Sequence, residues 1–219
     1  MAGSVLLGQR AILLAIKTAG AAKEKTVSTP TETRLTPEEY LRLERLVETR
    51  SEFFGGELIP MPGVSRQHNR INRNLLHELE TQLFDRPCEI FFCDMRVKIP
   101  VTGSYAYPDV AVLCGEPTFE DANVDTLLNP QVLIEVLSES TEAHDRGRKL
   151  RQYRSIESLH EYILVSQSEQ RIERYARQLP GEWTYSDVTD PAETIFLASL
   201  DCRLTVSRVY RGINFKTGK

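Results

Sequence analysis

Two short apolar runs, "YPDVAVLC" and "VLIEVLS", each carry one carboxylate: Asp109 directly after Pro108, and Glu135 in the middle of a mostly β-branched stretch. A run of that composition reads as a strand covered on both faces, so an uncompensated Glu135 would cost several kcal/mol or take up a proton. Carboxylates on neighbouring strands can share one hard divalent cation with oxygen ligands, which would make a buried pair tolerable. The plainer compensation is an ion pair with Arg96 or Lys98 from an adjacent strand. Asp145, Lys149 and Tyr153 follow Glu135 at four-residue spacing, which places them on one face of a helix. An ammonium above the same strand end could offset charge developing on a phosphoryl oxygen or position a water. An exposed Asp145–Lys149 pair worth about 0.3–0.5 kcal/mol is the bland alternative.

These residues need elements to hold them. "TPEEYLRLERLVE" opens with Thr36 as N-cap, Pro37 in the first turn and Glu39 completing a capping box, which predicts a helix. "EFFGGELIPMPG" has the paired glycines of a hairpin, with Glu57 just after them as a further acidic candidate. In "SRQHNRINRNLLHELETQLF", Ile71, Leu75, Leu79 and Leu83 recur every four residues and predict an amphipathic helix whose first turns carry Arg66, His68, Arg70 and Arg73. His68 is placed to touch a phosphate or a metal-bound water, although a lone histidine is more often structural.

"EIFFCDMRVKIP" alternates as one strand with a single buried side; "EYILVS" is another strand, and "DRGRKLRQYRSI" is a helix between strands. "GEPTFEDANVDTLLNP" reads as a polar loop, and "RIERYARQ", "EWTYSDV" and "ETIFLAS" as added antiparallel strands. Strands and helices in this order predict an α/β fold with a central mixed sheet flanked by helices. Arg146, Arg148, Arg151 and Arg154 cluster around Lys149 and suit phosphate contacts, as a solvated helix face also would.

The ordered set "YPDVAVL", "LIEVLSEST", "DRGRKLRQY" and "SLHEYILV", with "GGELIPM" and His68 upstream, resembles the bacterial restriction-endonuclease-like domain family of the PD-(D/E)XK nuclease superfamily. The resemblance runs from "LTPEEY" to "RIERYAR". It implies a restriction-endonuclease-like core, Mg²⁺ (or Mn²⁺) held by Asp109, Glu135 and the backbone carbonyl of Val136, and hydrolysis of phosphodiester bonds in DNA. The superfamily motif has a lysine two residues after the acidic residue, where this chain has Leu137; the resemblance moves that role to Lys149 in the following helix. Cutting two strands with two sites further implies a homodimer. The alternative is a catalytically silent nuclease-like module that binds nucleic acid or protein.

With 219 residues and 41% hydrophobic composition the chain can bury one main core, expected over 36–219, after an N-terminal extension and linker at 1–35. The apolar stretch in that extension is interrupted by Arg10 and Lys17 and is too short and charged to span a bilayer. A net charge of −4 excludes a protein that coats nucleic acid by bulk positive charge, so any polyanion contact must use a local basic patch. Cys88, Cys93, Cys114 and Cys202 show no metal-like spacing and read as reduced core residues of a cytoplasmic protein without disulfides.

Overall fold

The protein is described by a computed structural model covering residues 34–92 and 94–215. The expected extension and linker lie almost wholly outside those residues. Contacts divide the chain into two compact units, 1–61 and 62–219, with the first helix and the hairpin in the first.

In the first unit α1 spans Pro37–Glu44, and the capping box is present in both directions: Glu39 N–H donates to Thr36 Oγ1 and Thr36 N–H to Glu39 Oε2. The strands β1 (Ser51–Phe54) and β2 (Glu57–Pro60) pair as the expected hairpin with Phe54 opposite Glu57. Its turn is Gly55–Gly56, both at positive φ, which a two-residue hairpin turn of this hand demands. A Cβ on Gly56 would meet the Arg34 side chain at 2.7 Å, so the second position has no room for one either.

In the second unit α2 spans Arg66–Leu83, as the four-residue periodicity predicts. It is followed by β3 (Cys88–Phe92), β4 (Arg96–Ile99), β5 (Ser104–Ala106), β6 (Val110–Cys114), β7 (Thr126–Leu127) and β8 (Val132–Leu137). A helical segment comes next: α3 (Glu142–His144), a π-helical stretch Asp145–Lys149, and α4 (Leu150–Tyr153). The chain ends through β9 (Glu161–Ser166), β10 (Ile172–Leu179), β11 (Glu182–Val188), β12 (Thr194–Leu197), β13 (Cys202–Thr205) and α5 (Val206–Val209).

The central sheet has the order β11-β10-β9-β8-β6-β3. Only β8–β9 is parallel, so the sheet is mixed. Strand alternation divides its faces. Val110, Val112, Val132, Ile134, Val136, Ile163 and Val165 pack in one core with Ile71, Leu75 and Leu79 of α2. The alternate residues of β8, Leu133, Glu135 and Leu137, therefore turn to the opposite face, where the helical segment after β8 supplies its partners.

Two expectations are corrected. "EIFFCDMRVKIP" is not one strand but two in different sheets: β3 pairs with β6, whereas β4 pairs with β5 and, in parallel, with β7 inside the segment read as loop. Two successive strands in phase alternate just as one long strand does, so the pattern could not reveal the break at Asp94. The cysteines are likewise not all reduced. Cys88 and Cys114 stand directly opposite each other in the β3–β6 ladder and form a disulfide, because a pairing register, not a sequence spacing, brings them together. Cys202 is free and buried, as read from its apolar surroundings. The bridge closes a loop of 26 residues, for which the chain-entropy account gives about 3.5 kcal/mol. Cys88→Ser/Cys114→Ser is expected to lower the urea midpoint accordingly, and dithiothreitol to do the same to the wild type but not to the variant.

Candidate active site

Glu135 is where the strand alternation puts it, on the face away from α2, and only 4% exposed. Its compensation is neither Arg96 nor Lys98, which pair with Asp125 and Glu120. Lys149 supplies it instead: Nζ donates to Glu135 Oε1 at 2.9 Å, and Tyr153 O–H donates to the same oxygen at 3.2 Å. Lys149 Nζ also lies 3.3 Å from Asp145 Oδ1, and both residues are buried, so this is not the exposed pair of the bland reading. The π-helical stretch sets these directions. Its widened turn runs from Asp145 to Lys149 and opens straight into α4, so that Lys149 and Tyr153 converge on one oxygen of Glu135. Such insertions in helices are frequent at functional sites. Tyr162 of β9 closes the cluster beneath, edge-on to Tyr153 at 5.2 Å; burial, then the nearby Glu135 and Asp145 charges, push its hydroxyl pKa well above the ordinary tyrosine value.

Asp109 sits at the bend just before β6. His68 Nε2 is 2.7 Å from its Oδ1, Asn72 Nδ2 donates to the same oxygen at 3.1 Å, and the backbone N–H of Val136 donates to Oδ2 at 2.7 Å. The first turn of α2 holds His68 in place: Ser65 is the N-cap, and its hydroxyl accepts from His68 N–H at 3.0 Å. Asn72 lies one turn further along the same stripe. Burial raises the Asp109 pKa, but the hydrogen bond and charge of His68 and the bonds from Val136 and Asn72 outweigh it and hold the carboxyl below the usual value. A carboxyl whose folded pKa is depressed stabilises the fold above its unfolded value of about 3.9, and that contribution disappears as pH falls through the folded value. Asp109→Asn is therefore expected to flatten the acid limb of a plot of urea midpoint against pH, below about pH 4; an unchanged limb would show that the carboxyl is not the group titrating.

The two carboxylates are neighbours through the backbone. The register Val110↔Ile134 places Asp109 one step beyond the paired residues, across from Glu135, and Asp109 takes the N–H of the very next residue. Their side chains bond to different helices: Asp109 to His68 at the start of α2, Glu135 to Lys149 and Tyr153 of the segment after β8. Among the described residues no group of three or more His, Cys, Asp or Glu side chains is arranged to hold a metal ion. A magnesium-like ion does not require one, since it is bound through one or two carboxylates and keeps several waters. The donors present are hard oxygens, and Asp109 Oδ2, with one hydrogen bond, retains a lone pair.

The other candidates are more dispersed. Glu57 lies in the first unit, at the turn end of the hairpin. Arg146 is taken up by Glu142 and, in a two-pronged pair, by Glu173, bonds that raise its pKa despite partial burial. Arg154 donates to Gly181 O at 3.2 Å and lies over the Trp183 ring, while Arg151 is exposed. Asn72 was missed, though its i+4 spacing from His68 was a usable signal. Val136, expected to act through its carbonyl, also donates its N–H to Asp109 Oδ2.

Residues 37–207 match the Uma2 family, described as "Putative restriction endonuclease". Two uncharacterised proteins of Synechocystis are similar: one is 40% identical over 154 residues, covering 70% of this chain and 87% of the relative, the other 34% identical over 182 residues, covering 83% and 94%. A crystal structure of a protein from Anabaena variabilis, described as a putative nuclease, superposes with a TM-score of 0.68 at 18% identity, covering 80% of this chain and 97% of that one. The chain belongs to the Uma2 restriction-endonuclease-like family, and its mixed α/β fold is that of the nuclease-like neighbour.

Proposed function

We propose that the protein is a Mg²⁺-dependent DNA endonuclease that hydrolyses phosphodiester bonds at Asp109, Glu135 and Lys149. The observation that carries this reading is the 2.9 Å contact between Lys149 Nζ and Glu135. In this reading the lysine that the nuclease motif places two residues after the acidic residue, where Leu137 stands, would be replaced by Lys149 from the following helix. A long flexible stem makes that exchange physically feasible.

In this reading Asp109 and Glu135, with the backbone carbonyl of Val136, would hold a divalent cation, which when bound would polarise a scissile phosphate and lower the pKa of a water. His68 and Asn72 orient Asp109 by filling Oδ1, leaving Oδ2 for the cation. Lys149 carries the positive charge that would meet an oxygen gaining negative charge in the transition state. Tyr153 fixes the carboxylate that Lys149 must share. Cleavage of both strands would fall to a homodimer, for which this reading takes a cytoplasmic location. Among the described residues no helix is long and apolar enough to cross a membrane.

The test is incubation of the full chain with supercoiled plasmid and Mg²⁺ or Mn²⁺. Nicked and linear products that vanish with EDTA are expected. Salt-sensitive retention of DNA without cleavage under any divalent ion would instead select the silent binding module.

A further inference from the structure

Outside the acidic site, the second unit carries a basic groove that the mechanism above does not use. Arg66, Arg70 and Arg73 follow one another along α2 at steps of four and three residues, which puts them on a single stripe. With His77 a turn beyond, the stripe runs for roughly 16 Å, long enough to meet several successive phosphates of one strand. The opposite wall is the C-terminal segment with Arg208, Arg211 and Gly212. Two adjoining cavities of about 390 and 980 Å³ lie along this groove, and both are lined by Arg70 and Gly212.

The groove is built rather than incidental. Asn74, 6% exposed, donates from Nδ2 to Val209 O at 2.9 Å and to Arg211 O at 3.0 Å, which ties the C-terminal wall to α2. Tyr210 O–H reaches Ser166 O at 2.9 Å and anchors the same wall to the sheet. Gly212 is at positive φ, and the guanidinium end of Arg70 lies close against it.

Arg208 is 3.3 Å from Glu78 and Glu80 also lines the groove, but among the described residues no carboxylate pairs with Arg66, Arg70 or Arg211. The first turn of α2 contains no acidic residue, so its arginines stand against the positive end of the helix dipole. That arrangement disfavours the helix unless an external anion meets it. The arginines after β8 differ, since Arg146 is already neutralised by Glu142 and Glu173.

We infer that this groove binds the phosphodiester backbone of duplex DNA, with Arg66, Arg70 and Arg211 as its principal phosphate contacts. It supplies the local patch that a chain of net charge −4 requires. The inference rests on the nuclease reading for its choice of partner, but its test does not depend on cleavage. Binding of the full chain to a fluorescent duplex would be followed by anisotropy in EDTA across roughly 50–200 mM salt. Arg66→Gln/Arg70→Gln/Arg211→Gln, three exposed or half-exposed positions, is expected to weaken binding at least tenfold and to reduce the slope of log K against log salt by about 2 to 3. Arg42→Gln, an exposed arginine of the other unit, should leave the slope unchanged. An unchanged slope in the triple variant, or absence of DNA binding by the wild type, would overturn the groove. Binding lost in the triple variant with no cleavage by the wild type would refute the nuclease reading and leave the groove standing; Asp109→Asn that binds but does not cut would separate the two in the opposite sense.

Discussion

Asp109→Asn is expected to reduce divalent-ion-dependent plasmid cleavage by at least about a thousandfold, the equivalent of roughly 4 kcal/mol of transition-state stabilisation. The substitution is nearly isosteric, so the lost function would not be a packing effect. Oδ1 is shared by His68 and Asn72, and the asparagine carbonyl can still accept from one side; what disappears is the anionic oxygen beside the Val136 N–H, the one with a lone pair left for a cation. His68→Gln is expected to fall between the variant and the wild type, because it loosens the orientation of Asp109 without removing its charge. Nicking rates over Mg²⁺ and Mn²⁺ titrations measure both. Cleavage by Asp109→Asn within tenfold of the wild type would remove Asp109 from the site.

The sequence carried the elements of this site better than their contacts. The capping box at Thr36–Glu39, the Gly55–Gly56 hairpin and the four-residue stripe of α2 are local patterns, and each is present as written. The anomaly of a carboxylate in "VLIEVLS" was also legible, because burial of the run follows from composition alone. What compensates it was not. Arg96 and Lys98 were plausible because strand neighbours are the default partners, but their carboxylates come from the segment around β7, which reads as a polar loop. The Cys88–Cys114 bridge was hidden for the same reason: only the β3–β6 register, a non-local fact, opposes those residues. The π-helical stretch at Asp145–Lys149 has no periodicity signature distinct from an α-helix over five residues, although it directs Lys149 into the sheet. His68 was read as a contact for a phosphate or a metal-bound water; its partner in the structure, Asp109, comes from the bend before β6, which no local pattern brings to the start of α2.

The second large effect falls on stability. Lys149→Met is expected to lower the free energy of unfolding by about 3–5 kcal/mol, because it strands two buried carboxylates that now share one ammonium. Glu135 and Asp145 are 4% and 2% exposed, and Lys149 Nζ lies within 3.3 Å of an oxygen of each. In a domain of this size that corresponds to a fall in Tm of roughly 10 °C. Glu135→Gln should cost less, since a neutral amide still accepts from Lys149 and Tyr153 while Asp145 retains its counter-charge. The comparison that separates charge from packing is the double change Glu135→Leu/Lys149→Met. Replacing a buried ion pair by apolar groups of similar volume is often close to neutral, so a double variant more stable than Lys149→Met alone is expected, with cleavage still absent. Urea unfolding of the three variants measures the cycle. If Lys149→Met alone costs less than about 1 kcal/mol, the magnitude of an exposed pair, then Lys149 is not confined beside Glu135 in solution and the lysine of the proposed site must be sought elsewhere.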